Sequence, residues 1–205
     1  MKQFGHIAPK HGYDTWMKGL YRETIWDLLS TFILRAGLLI ADQNVFCLPA
    51  GGQHEIPVIL KHGYSKNNVW MCDFSAAKMA SASKFLGING HSYGSEVSIA
   101  VNRHIRKNRA RFTAVNLDFM GTVKTAPYMA LPILSKHALT DLAWLAITYQ
   151  RGRDCFLGDV TDRDRARLDF IQKVFDTTDS KCSFLINGQY ASMGWAMYEI
   201  TRKRT

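Results

Sequence analysis

The spacing of apolar residues changes character near residue 43. Before it, Trp16, Leu20, Ile25, Leu28, Leu29, Phe32 and Ile33 recur at helical intervals, which predicts a helix from Asp14 to about Ile40, breakable at Gly19 or Gly37. Residues 1–13, with Gly5, Pro9 and Gly12, read as irregular. After it, short apolar runs alternate with amphipathic stretches. Val45–Leu48 is stopped by Pro49-Ala50-Gly51-Gly52, the pattern of a buried strand followed by a glycine turn. Ile56–Lys61 fits a helix closed by Gly63, and Val69–Cys72 a second buried strand ending at Asp73. Ser75 and Ser95 are placed to cap helices through Ala76–Phe85 and Val97–Ile105.

The alternation continues to the end of the sequence. Phe112–Phe119 reads as a third strand and Ala126–His137 as a helix that Pro132 should bend or shorten. Leu142–Tyr149 reads as a fourth strand and Arg163–Phe175 as an amphipathic helix. Two extended runs around Asn187-Gly188 and Gly194 suggest a closing antiparallel pair. Strands that alternate with helices predict an α/β fold: a Rossmann-like, mainly parallel sheet flanked by helices, with a C-terminal antiparallel strand pair and an N-terminal helical extension. One domain over 1–205 is the simplest division, with 1–42 as the extension and 43–205 as the core. Ligands of such sheets bind beyond the carboxyl ends of the strands, which directs attention to the loops after Leu48, Cys72, Leu117 and Tyr149.

Read together, those loops resemble class I S-adenosylmethionine-dependent methyltransferases over roughly residues 43–200. Phe46-Cys47-Leu48-Pro49-Ala50-Gly51-Gly52 is placed like that family's glycine loop under the cofactor. Asp73, in Val69-Trp70-Met71-Cys72-Asp73-Phe74-Ser75, stands about 20 residues past the glycine turn, where this fold holds a ribose. Asn116-Leu117-Asp118-Phe119-Met120-Gly121 is similar to the acid-containing loop that faces the methyl group. The ending, a long helix followed by two strands, matches the family's hairpin. The resemblance implies S-adenosylmethionine as cofactor, with Leu48, Pro49, Ala50, Gly51, Gly52, Asp73 and Phe74 around it and Asp118 orienting the nucleophile. Two features depart from the family pattern. No acid ends the first strand, and no third strand is evident between Leu86 and Ser95.

Composition adds a partner class. The chain is 47% hydrophobic with a formal net charge of +9. The cationic excess is concentrated in Arg103–Arg111 and in Arg202-Lys203-Arg204, which suits a nucleic acid or a solvated helix face. Arg103, Arg106 and Lys107 share one helical face, on a segment that enters its strand from the amino end. Arg151 and Arg153, beyond Tyr149, could clamp a phosphate, or Asp154 and Asp162 could pair with them. Tyr149 and Tyr190 could stack on a base or simply fill the core. His54 and Glu55 adjoin the glycine turn and either contact the cofactor or face solvent.

Other chemistries lack a pattern. The cysteines form no Cys-x-x-Cys pair and the seven histidines share no ligand spacing, so no metal is expected. The longest apolar stretch is interrupted by Ser30, Thr31, Arg35 and Gly37, short of the roughly 20 apolar residues of a membrane span. A cytoplasmic location is expected. The function expected is methyl transfer to a nucleic acid or another anionic partner. The alternative is a methyltransferase-like module that binds nucleic acid or protein without catalysis.

Overall fold

A computed structural model describes residues 15–49, 54–87, 91–118, 130–150, 163–176, 178–190 and 193–203. Seven strands form one sheet in the order β3-β2-β1-β4-β5-β7-β6. They are β1 (Val45–Cys47), β2 (Val69–Asp73), β3 (Ser92–Gly94), β4 (Phe112–Leu117), β5 (Leu139–Gln150), β6 (Ser180–Tyr190) and β7 (Met193–Arg202). The first five run parallel. β7 lies antiparallel between β5 and β6. The sheet is thus mainly parallel with an antiparallel closing pair, as the alternation of the chain predicts.

Helices cover both faces. On one side lie α1 (Thr15–Arg35), α2 (Glu55–Lys61) and α3 (Ala76–Leu86). There Ile25, Trp26, Leu29, Ile56, Ile59 and Met79 pack against Val45, Cys47, Met71, Ala114 and Ala146. On the other lie α4 (97–108), α5 (Leu131–Ala138) and α6 (Arg163–Asp176). Their Val101, Ile105, Leu134, Ile171 and Phe175 meet Phe46, Cys72, Phe112, Val115 and Leu145. Burial on both faces is why β1 and β2 read as nearly continuous apolar runs rather than alternating ones, while β4, equally buried, encloses the polar Thr113 and Asn116.

Several boundaries differ from the expectations. α1 stops at Arg35 because Gly37 takes φ +74°, and Gly37 and Leu38 return N–H bonds to the carbonyls of Leu34 and Ile33, a Schellman closure. The third strand is β3, three residues on the sheet edge that are at most half-buried. It carries no apolar run, which is why the sequence conceals it, and Phe112–Leu117 is therefore the fourth strand. α4 starts after Glu96 with no side-chain cap, so Ser95 does not cap it. The middle of α4, Val101–Ile105, is π-wound. Pro132 sits in the first turn of α5, where a missing N–H costs nothing. β5 reaches back to Leu139 through a register shift opposite Phe112 and Ala114.

Candidate active site

The carboxyl ends of β1, β2, β4 and β5 lie at one end of the sheet, and helix α1 reaches that end with its first turns. Asp118 follows the last residue of β4. Its Oδ2 sits 2.7 Å from the Lys18 Nζ of α1. Its Oδ1 accepts hydrogen bonds from Thr148 Oγ1 on β5 and Tyr190 Oη on β6, both at 3.1 Å. Three elements distant in sequence therefore converge on one carboxylate.

Beside it lies a second acid. Glu55, in the first turn of α2, is only 2% exposed. It accepts from Trp26 Nε1 at 2.6 Å and Asn116 Nδ2 at 2.8 Å on one oxygen, and from Arg22 Nε at 3.0 Å on the other. Tyr21 Oη donates to Asn116 Oδ1 at 2.9 Å, and the Tyr21 ring stacks on Tyr190 with centroids 4.7 Å apart. Burial pushes the Glu55 carboxyl above its ordinary range, against the opposing pull of Trp26, Arg22 and Asn116. Burial, and then the charge of Asp118, push the Tyr21 hydroxyl well up, so it serves as a neutral donor.

Lys18 and Arg22 lie four residues apart, with Tyr21 between them, and α1 thus presents a row of donors to Asp118, Asn116 and Glu55. Two cations spaced by one helical turn are the only trace of this in the sequence. The partners are 33 to 100 positions away, beyond any local pattern. Of the pair His54 and Glu55, the histidine faces solvent while the glutamate is buried.

Asp73 ends β2 on the same rim. Its Oδ1 accepts the Ser75 N–H at 2.8 Å, and Lys78 Nζ lies 4.0 Å from its Oδ2. Phe74 next to it is 78% exposed. Leu48 and Pro49 follow β1 on this rim. Tyr149 lies inside the core at 1% exposure, its ring over the cross-strand partner Gly194 and 6.0 Å from the Arg167 guanidinium. Ala50, Gly51, Gly52, Arg151 and Arg153 lie outside the described residues.

The seven-stranded order with its reversed β7 places the chain, in overall fold, with one group of solved structures. The chain has the class I methyltransferase fold. It is similar to Trm1 from Pyrococcus horikoshii in complex with S-adenosyl-L-methionine, at a TM-score of 0.66 and 15% identity, covering 93% of this chain and 56% of that one. It is similar to the plantazolicin methyltransferase BpumL in complex with SAH, at 0.61 and 13%, covering 93% and 87%. It also resembles the Methanococcus jannaschii fibrillarin pre-rRNA processing protein, at 0.55 and 11%, covering 80% and 68%. Neither a protein-family model nor a curated protein matches the sequence. Among the described residues, no helix is long and apolar enough to cross a membrane.

Proposed function

We propose that this chain is an S-adenosylmethionine-dependent methyltransferase that acts on a nucleic acid, with RNA as the favoured form. The observation that carries the reading is Asp118 at the carboxyl end of β4, held by Lys18, Thr148 and Tyr190. The RNA class is supported by the likeness to a pre-rRNA processing protein and by the net charge of +9.

The residues at the rim fit the cofactor. Asp73 keeps Oδ2 clear of the Ser75 bond and could accept ribose hydroxyls there, since a carboxylate is acceptor-only. The exposed Phe74 ring offers a flat apolar surface for a purine. Leu48, Pro49, Ala50, Gly51 and Gly52 would form the turn beneath. When bound, S-adenosylmethionine supplies an electrophilic methyl on a sulfonium.

The protein's own task is alignment. Asp118 Oδ1 carries two hydroxyl donors and Oδ2 one ammonium, which leaves Oδ2 able to accept one more N–H or O–H. An acceptor amino or hydroxyl group bonded there would have its lone pair aimed by a carboxylate that cannot rotate. Lys18 completes the fixing of that carboxylate.

A second reading, a module that binds without catalysis, draws support from the absence of an acid at the end of β1, where Cys47 and Leu48 stand. Titration calorimetry with S-adenosylmethionine and S-adenosylhomocysteine, followed by transfer of labelled methyl to an RNA pool, separates the two. Methyl transfer expects heat with both ligands and label in RNA. Asp118→Ala should keep the heat and lose the label, by about 100-fold or more if the acid acts on the transition state. No heat with either ligand would overturn the methyltransferase reading.

A further inference from the structure

The opposite end of the sheet carries a second constellation, built from parts far apart in sequence. α4 and α5 both end there, as does β7. The Arg111 guanidinium donates to the carbonyls of Lys136 and Leu139 at 3.5 and 3.3 Å. The Arg202 guanidinium donates to the same Lys136 carbonyl at 3.4 Å. Two basic runs separated by about ninety residues of chain are therefore joined on one carbonyl oxygen at the end of α5. All five cations between 103 and 111 are exposed, as are Lys136, Arg202 and Lys203.

Helix dipoles explain part of this, because cations are favoured in the last turns of α4 and α5. They do not explain Arg109 and Arg111, which lie past the end of α4, or Arg202 and Lys203 at the end of β7. Among the described residues, the acid that pairs with this group is Asp141, 3.4 Å from Arg202. Arg106, Lys136 and Arg111 each push the His137 imidazole toward its neutral form, after the larger effect of its burial. Their fields therefore overlap on one site.

We propose that this amino-end surface, centred on the Lys136 carbonyl, docks the phosphate backbone of a duplex RNA stem. Guanidinium forks suit phosphate oxygens. Among the described residues, none of the large exposed apolar side chains lies within 103–111, 136–141 or 202–203. The surface, as these segments build it, therefore presents charge rather than a stacking platform for unpaired bases or a broad apolar wedge for a membrane, with the aliphatic Leu39, beside Gln43, exposed at the same end. It reads charge and spacing, as backbone recognition does. The choice of RNA over DNA rests on the function proposed above, whereas the surface itself does not. From Leu139 to Thr148, β5 rises about 30 Å, so a stem anchored here reaches Asp118 only by running the length of the sheet. Docking and chemistry are thus separable.

The test is the triple variant Arg106→Gln, Lys107→Gln and Lys136→Gln, in which no buried contact is lost, with unchanged melting as its control. Anisotropy with a labelled RNA hairpin across a salt series should show the slope of log K against log salt flattened by about two to three. Heat with S-adenosylmethionine should stay within about twofold, roughly 0.4 kcal/mol. An unchanged salt slope would overturn the docking surface. Equal or tighter binding of a DNA duplex of the same sequence, or equal binding of phosphatidylserine vesicles, would overturn the RNA assignment. Loss of S-adenosylmethionine heat in the unmodified protein bears on the proposed function alone.

Discussion

At the carboxyl end of the strands, Glu55 is buried and the Asp118 carboxylate largely shielded, and each is met by three donors. At the amino end, the cations of α4, α5 and β7 stand in solvent and meet mostly backbone carbonyls. Charge taken out of water must be satisfied group by group, because an ion left without partners inside a protein costs several kcal/mol. Charge left in water can accumulate with one sign, because solvent and salt screen it. The buried end therefore fixes geometry, and the solvated end sets a field. A precise reaction centre and a tolerant docking surface need those two different things.

The comparison breaks most visibly at Glu55. Glu55→Ala would leave the Arg22 guanidinium buried without its carboxylate, and urea unfolding should report a loss of about 3–5 kcal/mol. A loss under about 1 kcal/mol would mean that α1 is not anchored through this pair. Gly194→Ala comes next. A β-carbon there would run into the Tyr149 ring, and overpacking should cost about 1–3 kcal/mol. An unchanged melting temperature would show that the Tyr149 ring moves aside freely.

A smaller effect concerns pH. Burial raises the Glu55 carboxyl above its ordinary value of 4.5, so the folded chain holds that proton more tightly than the unfolded one. The stability this contributes is full below pH 4.5 and declines as pH rises through the raised value. Glu55→Gln should flatten that decline in a series of unfolding curves between pH 4 and 7. A parallel decline in both proteins would assign it to another group. The smallest effect is at the amino end. The triple Gln variant of Arg106, Lys107 and Lys136 should shift stability by no more than about 0.5 kcal/mol. A larger loss would make those cations structural.

What the sequence discloses follows from how far each determinant reaches. β1 and β2 are legible because a strand buried on both faces favours an unbroken apolar run, which is a local property, and β4 is legible from a weaker alternation that Thr113 and Asn116 introduce. β3 is not, because an edge strand of three half-exposed residues needs none. The start of β5 is hidden by Thr140 and Asp141, which look like loop residues although Leu139 already pairs with Phe112. Asp73, Phe74 and Asp118 stand out by their positions at strand ends. Lys18, Arg22 and Asn116 do not, since each gains its meaning from a partner that only the folded chain brings close. The two basic runs are visible as composition, but their meeting at the Lys136 carbonyl is a fact of topology.

The placement of β7 has a consequence for how the molecule is made. It comes latest in the chain among the described strands, yet it lies inside the sheet, hydrogen-bonded to β5 on one side and β6 on the other. On the ribosome, β5 emerges early with a free edge and must wait for a strand some fifty residues later. Until then Ala143, Leu145 and Ile147 lack their neighbour, and the nascent chain carries an unpaired apolar edge. Closing the sheet is thus a late, long-range event, of the kind that slows folding and invites association between unfinished chains.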